Sequence, residues 1–264
     1  VQTLVLDEAD RLLSLGFADE LGRIRALLPE RCQRLLFSAT FPPAVHELIG
    51  QLLHKPVALD IDQGDTPDAS AITQRAIEVD ERRRTELLRH LLTTHAWPRV
   101  LVFVATKYAT EHVTDKLRRH GISAAPMHGE LSQGARTQAL ESFKASRVQV
   151  LVATDLAGRG LDIAELPVVL NFDLPRSATD YVHRIGRTGR AGETGVAVSF
   201  VTAQNSAHWD LIERRNSLQL EREVVEGFEP TDVPVAPSGD GGVKGKRKSK
   251  KDKLREAALR GTKR

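Results

Sequence analysis

Residues 1–17 read VQTLVLDEADRLLSLGF: an apolar run ends in three carboxylates and is followed by apolar residues at helical spacing. Such a run predicts a buried β-strand, and the spacing after it predicts a helix. In an open parallel sheet, ligands bind beyond the carboxyl ends of the strands. Asp7, Glu8 and Asp10 therefore occupy a position where they can meet a ligand, although one Asp there can also merely cap the following helix.

The same alternation continues along most of the chain and predicts an α/β fold with a doubly wound parallel sheet. Amphipathic segments separate the apolar runs, as in ERRRTELLRHLL and KYATEHVTDKLRRH. Because the runs are apolar on both faces, helices are expected on both sides of the sheet. The predicted strands are TLVL, QRLLFSAT, VALDI, ITQRAIEV, RVLVFVAT, VQVLVAT, VVLNF and GVAVSF.

Composition divides this pattern into segments. Residues 62–70, DQGDTPDAS, are polar with Gly and Pro and predict a linker. Residues 71–206 hold enough strands and helices for one complete domain, whereas residues 1–61 hold only enough for the C-terminal part of another. Residues 207–230 are predicted to form a short, partly helical extension, and residues 231–264 a basic flexible tail.

Charge and cysteine content limit the function classes. Residues 241–264 contain eleven Lys or Arg and two acids, a net charge of +9. Because the whole chain carries +3, the preceding residues sum to −6. Such a tail attracts a polyanion such as nucleic acid, or is simply solvated. The single cysteine excludes an intramolecular disulfide and favours a reducing, cytoplasmic location. No apolar stretch approaches the roughly 20 residues of a membrane-spanning helix, so no membrane partner is expected.

Two other strand ends carry polar side chains. RLLFSATFPPAV places Ser38 and Thr40 before two prolines, and by itself a helix cap is the simpler interpretation. VATDLAGRGLDI combines an apolar strand with Thr154, a Gly-Arg-Gly turn and Asp162. Glycine permits close approach of a ligand, Thr154 can reach a phosphate, and Asp162 can accept hydrogen bonds from ribose hydroxyls. A tight turn with Asp as a helix cap is the alternative.

The most informative basic stretch is YVHRIGRTGRAG. Arg184, Arg187 and Arg190 recur every three residues, with Gly186 and Gly189 between them, which is too much glycine for an efficient helix interior. A solvated basic face would not need these glycines. Arginines held on a tight backbone suit bidentate recognition of phosphate and of charge on a transferred phosphoryl group.

In this order and spacing, DEAD, SAT, TDLAGRGLD and HRIGRTGR resemble the motifs of the DEAD-box ATP-dependent RNA helicases of superfamily 2. The resemblance covers residues 1–230, and the run through GFEPTD into a basic tail is most similar to the bacterial RhlE-like group. It implies the RecA-like sheet of P-loop NTPase helicases, with one complete second domain and the C-terminal part of the first. It also implies ATP and Mg²⁺ as cofactors.

The resemblance assigns roles to individual residues. Asp7 resembles the family's Mg²⁺ ligand, acting through water, and Glu8 its general base. His183 matches a coupling residue; without the motif it would be interpreted as a satisfied core histidine. The other implied nucleotide-site residues are Asp10, Ser38 and Thr40 for coupling, Gly160 and Asp162 on the ribose side, and the arginine fingers Arg187 and Arg190.

The segments FVATK, MHGELSQGAR and VATD match the family's RNA-backbone track. RNA is therefore the expected partner, read through phosphate and 2′-hydroxyl groups with little sequence specificity. Ribosomal or degradosome-type particles are candidate partners for the basic tail. The residues expected to contact RNA are Thr106, Lys107, Gly129, Arg136 and Thr154.

A phosphate-binding loop of the form G-x-x-x-x-G-K-[ST] is absent from the sequence. We therefore expect the chain to be the C-terminal portion of a longer helicase, which is an RNA-stimulated ATPase, and the chain alone to be inactive. Two alternatives are a non-catalytic RNA-binding module and a DNA helicase with related domains. Intact Glu8 and both arginine fingers argue against the first, and DEAD with HRIGRTGR favours RNA over DNA.

Overall fold

The computed structural model describes residues 1–60, 72–158, 166–189 and 194–232. Contacts divide the chain into two compact units, residues 1–64 and 65–264, which we describe separately as the first and the second unit. The predicted linker, residues 62–70, lies outside the described residues. No helix in the described part of the chain has the length and apolar character needed to cross a membrane.

In the described part of the first unit, two parallel strands pair in register from Thr3↔Gln33 to Leu6↔Leu36. Pro43 is at the start of the last helix, where its missing N–H has no intrahelical partner to lose. Leu6, Leu21 and Leu52 form its buried apolar cluster. The elements are β1 (Thr3–Leu6), α1 (Ala9–Ser14), α2 (Ala18–Ala26), β2 (Gln33–Leu36) and α3 (Pro43–Leu52).

The prediction of a strand at VALDI was wrong for residues 57–60, which form no regular element. Val57 and Leu59 are 86% and 83% exposed. An apolar run forms a strand only when a neighbouring strand pairs with its backbone, and the described residues of the first unit supply none there.

The second unit contains, within its described residues, seven parallel strands in the order β5-β6-β4-β7-β8-β3-β9. Its strands are β3 (Ile72–Glu78), β4 (Val100–Val104), β5 (Ala124–Met127), β6 (Val150–Thr154), β7 (Val168–Asn171), β8 (Gly195–Val201) and β9 (Arg222–Val224). Its helices are α4 (Arg84–His95), α5 (Lys107–Arg119), α6 (Gln133–Lys144), α7 (Asp155–Gly158), α8 (Ala178–Ile185) and α9 (Ser206–Arg215).

Helices cover both faces of this sheet, which confirms the predicted doubly wound α/β fold. All five residues of β4 are buried, because alternate side chains enter separate apolar clusters on the two faces. Two edge strands, β5 and β9, were not predicted. β5 is four residues long and contains Pro126, and such a segment lacks the strand signal of a central run.

The last described residues are hydrogen-bonded to Asp80, four residues before the start of α4. The carboxylate of Asp80 accepts hydrogen bonds from the backbone N–H groups of Thr231 and Asp232, each at 2.8 Å, and from the Thr231 hydroxyl at 2.7 Å. Phe228 is buried in the main core beside them. The described structure therefore extends two residues into the segment predicted as a tail.

These bonds predict a pH-dependent contribution of Asp80 to stability. The N–H of Asp232, followed by the Thr231 hydroxyl, holds the pKa of the Asp80 carboxyl below its ordinary value of 3.8. Since the unfolded chain binds this proton more readily, the stabilisation is present above about pH 4 and is lost as the pH falls through the folded-state pKa. Asp80→Asn is therefore expected to lower the free energy of unfolding at neutral pH, by an amount that shrinks as the pH falls below about 4.

Urea titrations followed by tryptophan fluorescence measure this difference. Both tryptophans, Trp97 and Trp209, lie in the second unit, so their signal reports on that unit. A difference between wild type and variant that stays constant over this pH range would show that Asp80 acts by packing instead.

Candidate functional site

The acidic residues that follow β1 lie at the carboxyl end of a parallel strand. Asp7 is exposed and Glu8 is half-buried. Glu8 has φ 50° and ψ 50°, a left-handed conformation that is uncommon for a residue other than glycine. Its N–H donates to Asp7 Oδ1 at 2.9 Å, which helps to hold this conformation. Backbone strain of this kind is found at functional sites, because it aims a side chain where ordinary geometry would not.

Asp10 is joined to the segment that follows β2. Its carboxylate accepts a hydrogen bond from the Thr40 hydroxyl at 2.6 Å, and its N–H donates to Ser38 Oγ at 3.2 Å. The Ser38 hydroxyl in turn donates to the Thr40 carbonyl at 2.7 Å. Because β1 and β2 are parallel neighbours, their carboxyl ends meet, and residues about 30 positions apart come into contact. We call Asp10, Ser38 and Thr40 the acid–hydroxyl network.

Helix capping does not explain these side chains. The residue preceding α1 is Glu8 and that preceding α3 is Pro42, and neither helix has a side-chain cap hydrogen bond. The hydroxyls of Ser38 and Thr40 instead bond within the network.

Asp7 and Glu8 supply carboxylate oxygens, the hard ligands that suit Mg²⁺. Among the described residues, no three His, Cys, Asp or Glu side chains are grouped so that they could hold a metal by themselves. A metal ion bound by Asp7 would therefore keep water and substrate oxygens as ligands, which is the usual manner of Mg²⁺. The donor set fits this ion.

In the second unit, three predicted RNA contacts lie at the edge of the sheet that is formed by the carboxyl ends of its strands. Thr106, Gly129 and Thr154 follow or end β4, β5 and β6, which are neighbours in the order β5-β6-β4. Thr106 also caps the N-terminus of α5, since its Oγ1 accepts a hydrogen bond from the N–H of Ala109 at 3.1 Å. Gly129 is exposed, and a Cβ added there would meet nothing within 4 Å. The edge is open for a ligand backbone.

Two basic residues stand near these strand ends. Lys107, the first residue of α5, forms an ion pair with Glu130 and thereby lowers the pKa of the Glu130 carboxyl. The two side chains are 59% and 67% exposed, so the pair contributes little and leaves Lys107 able to exchange its partner for a phosphate. Arg136 is half-buried on the first turn of α6, and its buried Nε has no hydrogen-bond partner in the described structure.

The prediction of a phosphate-binding role was wrong for Arg184. Its guanidinium is 3% exposed and forms a bidentate pair with Asp155, at 2.6 and 2.8 Å. It also donates to Asn171 Oδ1 at 2.9 Å and to the Asp173 carbonyl at 2.6 Å. We call these four residues the Arg184 network. The sequence reasoning did not single out Asp155, although this residue directly follows an apolar strand, as Asp7 does.

The turn that carries Arg187 is packed tightly against the start of β8. Gly189 has φ 64°, a conformation that favours glycine. A Cβ added at Gly195 would lie 2.0 Å from Thr188 Oγ1, and the Thr188 hydroxyl donates to the Leu166 carbonyl. Arg187 itself is half-buried, and its N–H donates to the Arg184 carbonyl at 3.1 Å. The glycines therefore serve the close packing of this turn.

Four predicted residues of the second unit complete the description. His183 is half-buried on α8. Gly160, Asp162 and Arg190 lie outside the described residues.

Models of two helicase domain families match this chain. A model of the DEAD/DEAH box helicase family matches residues 1–48, and a model of the helicase conserved C-terminal domain matches residues 83–192. The chain is 36% identical to the E. coli DEAD-box protein SrmB in its structure bound to regulator of ribonuclease activity A; the match covers 63% of this chain and 98% of that one, with a TM-score of 0.59. The chain belongs to the DEAD-box RNA helicase family.

Among other DEAD-box proteins, the ATP-dependent RNA helicase CshA of Geobacillus kaustophilus (strain HTA426) is 39% identical over 222 residues, which are 84% of this chain and 47% of the relative. S. cerevisiae Dbp5, solved bound to RNA and ADP BeF3, is 31% identical with a TM-score of 0.74, over 86% of this chain and 61% of that one. The chain spans about half the length of the curated relatives it matches. The assignment to the RhlE-like group stays a prediction.

Proposed function

We propose that the complete protein is an RNA-stimulated ATPase that unwinds or remodels short RNA duplexes or RNA–protein complexes. The acid–hydroxyl network carries this proposal, because it joins the DEAD segment to the SAT segment by direct hydrogen bonds. Family membership and the RNA and nucleotide bound to Dbp5 support it.

In the first unit, we assign the nucleotide chemistry to the residues after β1. Asp7 would hold Mg²⁺ through water, and the Glu8 carboxylate would accept a proton from the attacking water. When bound, ATP would supply the phosphoryl group, and Mg²⁺ would neutralise the charge that develops on it. Asp10, Ser38 and Thr40 couple hydrolysis to conformational change, since hydrogen bonds among them can transmit a shift at Glu8 to the end of β2.

In the second unit, Arg187 and Arg190 would bind the terminal phosphate, and Gly160 with Asp162 the ribose. His183 joins the coupling residues. Bidentate guanidinium groups suit this task because they match the geometry and charge of phosphoryl oxygens. Supplying them from the second unit would make hydrolysis depend on the arrangement of both units, which is the requirement for an ATP-driven conformational cycle.

The RNA backbone would follow the edge formed by Thr106, Lys107, Gly129, Arg136 and Thr154. Backbone contacts position RNA without reading its bases, so we expect little sequence specificity. The cytoplasmic location and any ribosomal or degradosome-type partner stay predictions.

The proposal predicts that RNA stimulates ATP turnover by the complete protein and that a matched DNA duplex does not compete. Competition by DNA equal to that by RNA would favour a DNA helicase. RNA binding without turnover would favour a non-catalytic module.

A second prediction concerns the RNA-binding edge directly. Lys107→Gln/Arg136→Gln is expected to weaken binding of a short single strand about tenfold and to lower the slope of log affinity against log salt by about 1.4, since about 0.7 is lost per phosphate contact. Arg147→Gln, at an exposed position after α6, is the control and should change neither value. An unchanged slope in the double variant would remove these residues from the RNA contact.

A further inference from the structure

A second basic surface lies in a groove between α4 and α5. The concavity has a volume of about 480 Å³. The residues that matter here are those with charged or ionisable side chains: Arg82, Glu86, Arg89, Lys116, Arg119 and His120. Lys116 and Arg119 are in the last turn of α5, about 14 and 18 Å along the helix axis from Lys107 at its start. The groove is therefore distinct from the edge assigned to RNA above.

The charges in the groove are not neutralised by neighbouring acids. Arg82, Lys116 and Arg119 are exposed, and none forms an ion pair in the described structure. Glu86, the acid of the groove, is paired with Arg83 Nε at 3.7 Å. Arg89 Nη1 lies 3.0 and 3.1 Å from the ring nitrogens of His120, which ties the two helices together on the basic side.

Helix stability does not explain all of these cations. Lys116 and Arg119 complement the negative end of the α5 dipole, but Arg82 precedes the positive end of α4, where a cation is unfavourable. Neighbouring arginines have structural partners there: Arg83 donates to the Gly227 carbonyl, and Arg84 pairs with Asp173. Arg82 has no such role in the described structure.

The charges in and near the groove favour a polyanion as its occupant. Asp80, two residues before Arg82, holds the backbone of Thr231 and Asp232. From there the sequence continues to residues 241–264, with their net charge of +9, while the residues before that segment sum to −6. The cations of the groove cluster on a unit whose residues 72–232 hold 21 Lys or Arg and 21 Asp or Glu, a net charge of zero, and a local positive region of this kind attracts nucleic-acid backbones.

We infer that the α4–α5 groove is a second, sequence-independent binding surface for RNA backbone, which holds RNA flanking the strand at the sheet edge. The choice of RNA rests on the proposed function. Once one surface holds an RNA, the effective concentration of that RNA at the other surface is raised. A structured RNA with a single-stranded extension therefore binds more tightly than the single strand alone.

The test compares two RNAs on the complete protein: a short single strand, and a hairpin with that strand as its extension. Lys116→Gln/Arg119→Gln is expected to weaken hairpin binding about tenfold, to lower its salt slope by 1 to 2, about one unit or slightly less per contact, and to leave the short strand within about twofold. Glutamine is a good helix former, so α5 is retained. Arg147→Gln/Arg215→Gln removes the same charge from exposed positions outside the groove and should have no effect.

Three other results of this test would lead to different conclusions. Unchanged hairpin affinity and slope in the groove variant overturn the inference while the proposed function stands. Wild-type protein that binds neither RNA overturns the proposed function instead. If the variant keeps its RNA affinity but loses binding of polyglutamate, the groove takes an acidic protein segment and the inference is wrong.

Discussion

Replacing Arg184 with alanine is expected to lower the free energy of unfolding of the second unit by about 3–5 kcal/mol. The guanidinium is almost fully buried and forms a bidentate pair with Asp155. Removing it leaves that carboxylate with no counter-charge from the pair and leaves the acceptors of Asn171 and Asp173 without their donor. Breaking this pair on one side is costly because the remaining carboxylate, whose side chain is only 23% exposed, loses its partner and regains little hydration.

Denaturant unfolding followed by tryptophan fluorescence measures this effect, since both tryptophans lie in the second unit. Arg215→Ala, at an exposed position on α9, is the matched control and should stay within about 0.5 kcal/mol of wild type. In a double-mutant cycle, Asp155→Ala combined with Arg184→Ala should cost clearly less than the sum of the two single changes. Additive costs would contradict a direct interaction between the two side chains.

Replacing Arg187 with alanine is expected to lower RNA-stimulated ATP turnover by the complete protein about 10³-fold, at the lower end of what an arginine finger contributes. Arg187 lies only three residues after Arg184 but is half-buried and outside the Arg184 network. Because the role assigned to Arg187 is at the terminal phosphate, the variant should bind RNA with nearly the affinity of wild type. Turnover and unfolding are measured on the same preparation.

Arg187→Lys separates charge from geometry. Lysine keeps the positive charge but lacks the planar fork that donates two parallel hydrogen bonds, so most of the turnover should still be lost. Equal losses of turnover and RNA affinity in Arg187→Ala would assign Arg187 to RNA binding, and a large loss of stability would assign it to the fold.

These two arginines show where sequence reasoning about the site reaches its limit. Arg184, Arg187 and Arg190 repeat every three residues, and the pattern treats them alike. The guanidinium of Arg184 is paired with the Asp155 carboxylate, and no local pattern in the sequence marks that contact. Asp155 lies 29 residues from Arg184 in the chain, and their contact follows from the packing of α8 against the end of β6.

For the acid–hydroxyl network, in contrast, the motifs named in advance the residues that the structure brings into contact. The resemblance to the DEAD-box family implied that Asp10 acts with Ser38 and Thr40. The bonds themselves, and the left-handed backbone of Glu8 beside them, are properties of the folded first unit. Capping, the simpler interpretation for Ser38 and Thr40, is excluded only by the observed partners.

The sequence by itself determined the α/β class, the central strands and the family, because apolar runs and strand-end motifs are local and are repeated along the chain. Only the tertiary structure decided which basic residues are structural and which face solvent, and that β5 and β9 complete the sheet edges. It also brought Asp80 to Thr231 and set the basic groove beside them. The reason is physical: local patterns report what a segment can bury, whereas the partner of each charge is chosen by segments far away in the chain.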